Sequence, residues 1–290
     1  LHRDDTSFRL GGLIESSLTH LFKDINPVRN ILLTVGLLII ASIISGCSAT
    51  ISGYNPTVFP FRYAQEAVDE TPIKRVILAP VNIGAPVRSH LRKAERRTKA
   101  LIKAYLRSNG YEILPNYPFE NAWKQANRTY GNVFDPSTGK VNANAWRATM
   151  VTVADKLRAE TQADAIIFAD LIVHETSHNI GQNHYAKWYG VTRKPSIKGA
   201  GNGIPMDFDW SQPVQAASLQ VTIFGVAELA QLFSSIGGID TLQTLNLKGS
   251  DAGYTRRKKL LSNADSLDEG IKIAFHPFIP MANYPGNKEQ

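Results

Sequence analysis

An uncharged run extends from Ile31 to Ile44, and three residues later stands Cys47, the only cysteine of the 290-residue chain. The run is short of the ~20 residues a helix needs to cross a bilayer, and it fits the roughly 7–15 residues of a signal peptide's apolar core. Arg29 supplies the positive charge before it, and Ser45 and Gly46 leave the backbone open to a peptidase. The segment therefore reads as a targeting element, and the part that folds lies beyond it. With one cysteine no intramolecular disulfide can form, so packing alone must hold that part together.

The tetrad Ile44-Ser45-Gly46-Cys47 resembles the lipobox of bacterial lipoprotein signal peptides. The resemblance implies lipidation of the Cys47 thiol and a membrane anchor. Ser48, being other than Asp, resembles the outer-membrane sorting signal, which implies an outer-membrane lipoprotein facing the periplasm. Residues 1–27 read as a gene-model extension: no Met precedes Met150, and a start at Val28 would give a compact signal peptide. The expected organisation is a signal peptide over 28–46, a lipidated Pro-containing tether over 47–72, an α/β domain over 73–250, and a basic segment, helix and tail over 251–290.

A hydrophobic content of 43% with 20% charged residues fits a globular chain with a substantial core. Residues 1–46 carry four basic and four acidic side chains, so the net charge of +7 lies in the remainder. A basic domain tethered to a membrane points to anionic lipid or glycan as neighbours. Nucleic acid is not expected outside the cytoplasm.

Along the domain, 75–81 (RVILAPV) reads as a buried strand and 87–109 as a helix ending at Asn109-Gly110. A short strand follows at 111–114, and the strand–helix–strand unit implies a parallel crossover. Short and long helices are expected over 119–127 and 143–160, and strands over 164–175, 185–193 and 215–224. A last helix is expected over 266–275. The Gly139-Lys140 pair lacks the first glycine of a P-loop and reads as a plain turn. Trp123, Trp146, Trp188 and Trp210 read as core or interface residues.

His174, Glu175, His178, Gly181 and His184 match HExxHxxGxxH at every specified position. The match resembles the zinc signature of metzincin proteases, with three histidine ligands, Glu175 as general base and Met206 near a methionine turn. That chemistry needs a helix, which brings His174 and His178 onto one face. Before the motif stand Ala165-Ile166-Ile167-Phe168 and Leu171-Ile172-Val173, a β-rich run. On a strand, residues i and i+4 lie ~13 Å apart, too far for two ligands of one zinc. The expectation is instead a long β-hairpin joining 165–175 to 185–193, with 179–182 and His178 at an exposed tip.

The first strand, the helix leading to Asn109-Gly110-Tyr111-Glu112-Ile113, the run Ala163–Phe168 and the strand 218–224 resemble a small α/β domain of envelope lipoproteins. It is similar to the curli-secretion lipoprotein, the penicillin-binding-protein activators and the amino-terminal domain of the Tol-system propeller protein. The resemblance covers roughly 73–224 and implies a mixed sheet flanked by helices and an assembly or scaffold role, with no catalytic residue carried over.

Arg88, Arg92, Arg96, Lys99, Lys103 and Arg107 recur at three- and four-residue spacing, a basic stripe opposite the apolar one. It is the expected anionic-surface contact, with Arg256-Arg257-Lys258-Lys259 adding to it. Two functional readings follow. The first is a non-enzymatic lipid-anchored envelope protein without cofactor, whose protein partner the sequence does not name. The second is a lipid-anchored zinc endopeptidase using His174, His178, His184 and Glu175.

Overall fold

The computed structural model describes residues 60–83, 89–135, 138, 140–179, 184–198, 204, 208–247 and 253–281, all within one compact unit, Gly53–Gln290. The segment read as a signal peptide, the lipobox-like tetrad with Cys47, and residues 1–27 lie outside the described residues, as do Arg88, Gly181 and Met206.

In chain order the elements are β1 (Phe61–Tyr63), α1 (Gln65–Glu70), β2 (Arg75–Leu78), a 3-10 turn (Ser89–Leu91), α2 (Arg92–Ser108), β3 (Glu112–Ile113), α3 (Tyr117–Tyr130) and α4 (Ala143–Glu160). There follow β4 (Ala165–Thr176), β5 (Ala186–Trp188), β6 (Val191–Arg193), β7 (Ile197–Lys198), β8 (Val214–Gly225), β9 (Gln231–Thr241), β10 (Gln243–Asn246), β11 (Gly253–Arg256) and α5 (Ala264–Phe275).

Six strands form one mixed sheet in the order β1-β9-β8-β4-β2-β3, parallel where β2 meets β3 and β4 and antiparallel elsewhere. This is the expected α/β architecture. Because successive strand residues face opposite sides, the apolar runs of β2 and β4 feed two cores. Leu78, Ile167, Leu171, Leu219 and Val221 pack with Ile102 and Leu106 of α2 and Ile271 and Phe275 of α5. On the other face, Ile77, Ile166 and Phe168 pack with Phe119 and Trp123 of α3 and Val153 and Leu157 of α4. Asp164 fixes the parallel register, accepting from the Lys74 and Arg75 amides at 2.9 and 2.7 Å and from the Arg75 guanidinium at 3.0 Å. Burial raises its pKa, and these three donors outweigh that and hold it low.

Four expectations change. First, the hairpin partner of β4 is β8, paired along twelve residues from Ala165↔Gly225 to Thr176↔Val214. Residues 186–193 instead form their own small hairpin, β5–β6, closed by Tyr189-Gly190. The long hairpin of the fold is β8–β9. Second, residues 61–70 of the expected tether are structured: β1 pairs with β9, and Tyr63 packs edge-on against Phe233 and Phe278 at 5.8 and 6.2 Å. Third, α5 belongs to the main core rather than to a separate tail, since Leu267, Ile271, Ala274 and Phe275 are buried there. Fourth, β9 was not anticipated. Its Gly237 and Gly238 are required by close packing: a Cβ at Gly237 would lie 2.7 Å from the Ala274 amide nitrogen of α5, and one at Gly238 2.7 Å from the Trp188 carbonyl oxygen of β5.

Phe134 and Val141 form a bridge, and the Asp135 carboxylate accepts from the Thr138 amide at 2.8 Å; Gly139 of the expected turn lies outside the described residues. Trp123, Trp188 and Trp210 are buried and Trp146 half-buried.

Candidate functional site

The start of the histidine motif is extended. His174 and Glu175 belong to β4, His178 lies two residues beyond its end, and among the described residues no helix occurs between Glu160 and Ala264. The three imidazoles engage three different partners. The His174 Nε2 and the Ser218 hydroxyl lie 2.8 Å apart, the Tyr254 hydroxyl lies 2.8 Å from His178 Nδ1, and His184 stacks on Trp210 at 3.8 Å. Among the described residues no three His, Cys, Asp or Glu side chains are grouped to hold a metal ion. This donor arrangement does not fit a metzincin zinc, whose first two histidines must share a helix face and whose ligand nitrogens must meet within ~3–3.5 Å of one another.

His178 also departs from the exposed tip expected of it. It is only 2% exposed, stacks on Tyr254 at 5.7 Å and meets Trp210 edge-on at 6.2 Å. Phe208, Trp210 and Leu245 form the small apolar cluster around it. Burial first, and the neighbouring His184 second, lower its pKa to about 4, so the ring is neutral at physiological pH. The chain beyond β4 turns inward to bury an aromatic imidazole face, which strand alternation alone does not reveal.

The His174–Ser218 pair has the contact of a base and a nucleophile, but Ser218 is fully buried. His174 is capped edge-on by Tyr189 at 5.1 Å and Trp188 at 6.2 Å, and burial lowers its pKa. No substrate carbonyl can reach that hydroxyl, so the pair pins β4 to β8.

The basic stripe is a continuous surface of α2. Arg92, Arg96 and Arg107 are exposed and Lys99 and Lys103 half-buried, while Ala94, Thr98, Ile102 and Leu106 face the core. At 1.5 Å per residue the five cations run ~22 Å along one face. None of the five forms an ion pair among the described residues. The helix's acidic residue, Glu95, is taken by the Asn82 amide at 2.8 Å. Lys103 has a lowered pKa, from burial first and then from repulsion by Lys99 and Arg107.

The expected contribution of residues 256–259 is narrower than its sequence. Arg257 is committed inward, donating to both Asp240 carboxylate oxygens at 2.7 and 3.2 Å and to the Gln243 carbonyl at 3.1 Å. Arg256, Lys258 and Lys259 remain exposed. Arg97 of α2 donates to the Leu261 carbonyl at 3.2 Å, which ties this second basic segment to the flank of the helix.

No known protein family and no curated protein matches the chain. Among solved structures it is similar to a lipoprotein of Neisseria meningitidis, GNA1162, at 14% identity and a TM-score of 0.31, covering 67% of this chain and 90% of that one. It is also similar to the PelC dodecamer of Paraburkholderia phytofirmans at 11% identity and a TM-score of 0.27, covering 70% and 84%. The hypothetical protein CT253 of Chlamydia trachomatis aligns at 10% identity and a TM-score of 0.28, covering 58% and 73%. No residue's role is carried over from any of them. Among the described residues no helix is long and apolar enough to cross a membrane.

Proposed function

We propose that the chain is a bacterial cell-envelope protein, acylated at Cys47 and held at the outer membrane facing the periplasm, that works by binding rather than by catalysis. Its α2 face is the docking surface and an anionic lipid head-group layer is its counterpart. The observation that carries this reading is the row Arg92, Arg96, Lys99, Lys103 and Arg107, five cations on one helix face with no ion-pair partner among the described residues. Like charges held together in this way repel one another, and an apposed anionic surface relieves that cost. A lipid anchor close by makes the encounter effectively intramolecular, so modest electrostatic affinity suffices. The lipobox-like tetrad ending at Cys47 supports the anchor.

The test is binding of the full chain carrying Cys47→Ser, which removes the anchor's own affinity, to vesicles of phosphatidylglycerol and phosphatidylethanolamine. Each Lys or Arg near such a surface contributes ~1 kcal/mol, so Arg92→Glu, Arg96→Glu and Lys103→Glu together should weaken binding by at least about a hundredfold. Added salt should weaken the unsubstituted chain in the same direction. Binding that is unchanged by the triple reversal would reduce the helix face to a solvated one. Binding to an acidic glycan but not to vesicles would replace the lipid with the glycan.

A further inference from the structure

Strand β8 is an interior strand, flanked by β4 and β9, yet Gln220 at its middle is exposed. The residues of β8 on that face are Phe224, Thr222, Gln220 and Ser218, and the two ends are covered differently. Phe224 lies beside Trp146 of α4 at 6.2 Å. Ser218 is sealed under the β5–β6 hairpin, whose Trp188 and Val191 press onto its cross-strand neighbour Gly238. Helices α3 and α4 and the small hairpin therefore leave a gap between them. Its floor is the cross-strand pairs Gln220–Ile236 and Ser234–Arg62, and Asp170, the neighbour of Gln220 on β4, lies outside the lining and has an interaction of its own. The gap is a cleft of about 420 Å³ whose lining includes Arg62, Tyr189, Gln220, Gln231, Ser234 and Ile236.

The chemistry of that lining is specific. Gln220, Gln231 and Ser234 form no side-chain hydrogen bond among the described residues, and Arg62 is exposed and forms no ion pair there. Amides and hydroxyls each both donate and accept, which is the complement that a ring of alcohol groups requires. Tyr189 supplies an aromatic ring at the cleft wall, suited to the apolar C–H face of a pyranose. Its position is itself unusual. Tyr189 and Gly190 are the two central residues of the β5–β6 turn, with φ of 36° and 81°. That turn type favours Asn or Asp at its first position, and a bulky aromatic residue there holds a backbone region it rarely adopts. Strain of this kind persists at ligand clamps. A phosphate group is a poor match, because the lining offers a single guanidinium and no helix N-terminus.

We infer that this cleft is a binding site for an acidic saccharide, with the sugar ring against Tyr189, its hydroxyls on Gln220, Gln231 and Ser234, and its carboxylate on Arg62. The site lies on strands β1, β8 and β9 and the β5–β6 turn, does not use α2, and stands whether or not the α2 face docks on lipid.

Calorimetric titration of the full chain with trigalacturonate tests it, with neutral maltotriose as comparison and circular dichroism as the check on folding. One-site binding is expected, at least about tenfold weaker for maltotriose. Gln220→Ala should weaken trigalacturonate about fivefold and Arg62→Gln at least about tenfold, while the triple α2 reversal leaves it unchanged. Both substitutions are at exposed positions, so a folded variant is expected. No binding at about 10 mM saccharide would overturn the inference. So would affinity untouched by both cleft substitutions, affinity lost in the α2 reversal, or equal affinity for maltotriose.

Discussion

Acidification should destabilise this protein through His178, and the size of the effect can be worked from its surroundings. A histidine in the unfolded chain takes a proton near 6.5, whereas folded His178 does so only near about 4. Between those values the unfolded state binds more protons, so stability falls as the pH falls through this window and is fully present above it. At 1.36 kcal/mol per unit, and allowing for relaxation around a charged ring, the loss is about 2–3 kcal/mol. The geometry explains why the cost is not evaded. The neutral ring shares a hydrogen bond between Nδ1 and the Tyr254 hydroxyl at 2.8 Å, and among the described residues Nε2 is buried without a hydrogen-bond partner. Protonation would add a charge and a second N–H inside an aromatic cluster with His184 adjacent. His174 and His276 are shifted the same way, so the wild-type curve alone does not isolate His178. Urea unfolding of wild type and His178→Phe, followed by tryptophan fluorescence at several pH values, does. Near neutrality the variant should be less stable by about 1 kcal/mol, having lost the Tyr254 bond. By about pH 4.5 the difference should shrink and reverse, because phenylalanine has no proton to take up. A wild-type-minus-variant difference that stays constant across this range would refute the reasoning.

Replacing the Cys47 thiol with a hydroxyl in Cys47→Ser should abolish incorporation of a fatty-acid analogue in a bacterial host, and equal labelling of wild type and variant would remove the anchor from the proposed function. For the histidine motif, the untagged chain should purify without stoichiometric zinc, and Glu175→Gln should leave peptide cleavage and stability unchanged. One tightly held zinc per chain with Glu175-dependent cleavage would restore the protease reading.

The parts of this fold that were legible are those whose cause is local. Helix α4 was expected over 143–160 and occupies Ala143–Glu160, with its start fixed by the Asn142 side chain accepting from the Ala145 amide at 3.2 Å. The α2 stripe was legible for the same reason, since three- and four-residue spacing is a property of one helix. Strand β9 was not, because adjacent glycines weaken a strand pattern, and Gly237 and Gly238 are needed only where helix α5 and the β5–β6 hairpin press on them from opposite faces. Arg257 looked like one more surface cation, and only the fold brings Asp240 to it. The saccharide cleft draws Arg62, Tyr189, Gln220 and Ser234 from four separate elements, and no sequence window contains that set. The HETSHNIGQNH segment shows the same contest from the other side. A spacing rule presupposes a conformation, and the conformation here is decided upstream. Ala165 to Thr176 is held in twelve-residue register with β8, and that ladder carries His174 and Glu175 into the strand before any helical turn can start. Where a motif and its flanking pattern disagree, the flank wins when its backbone bonds are already spent on a neighbouring strand.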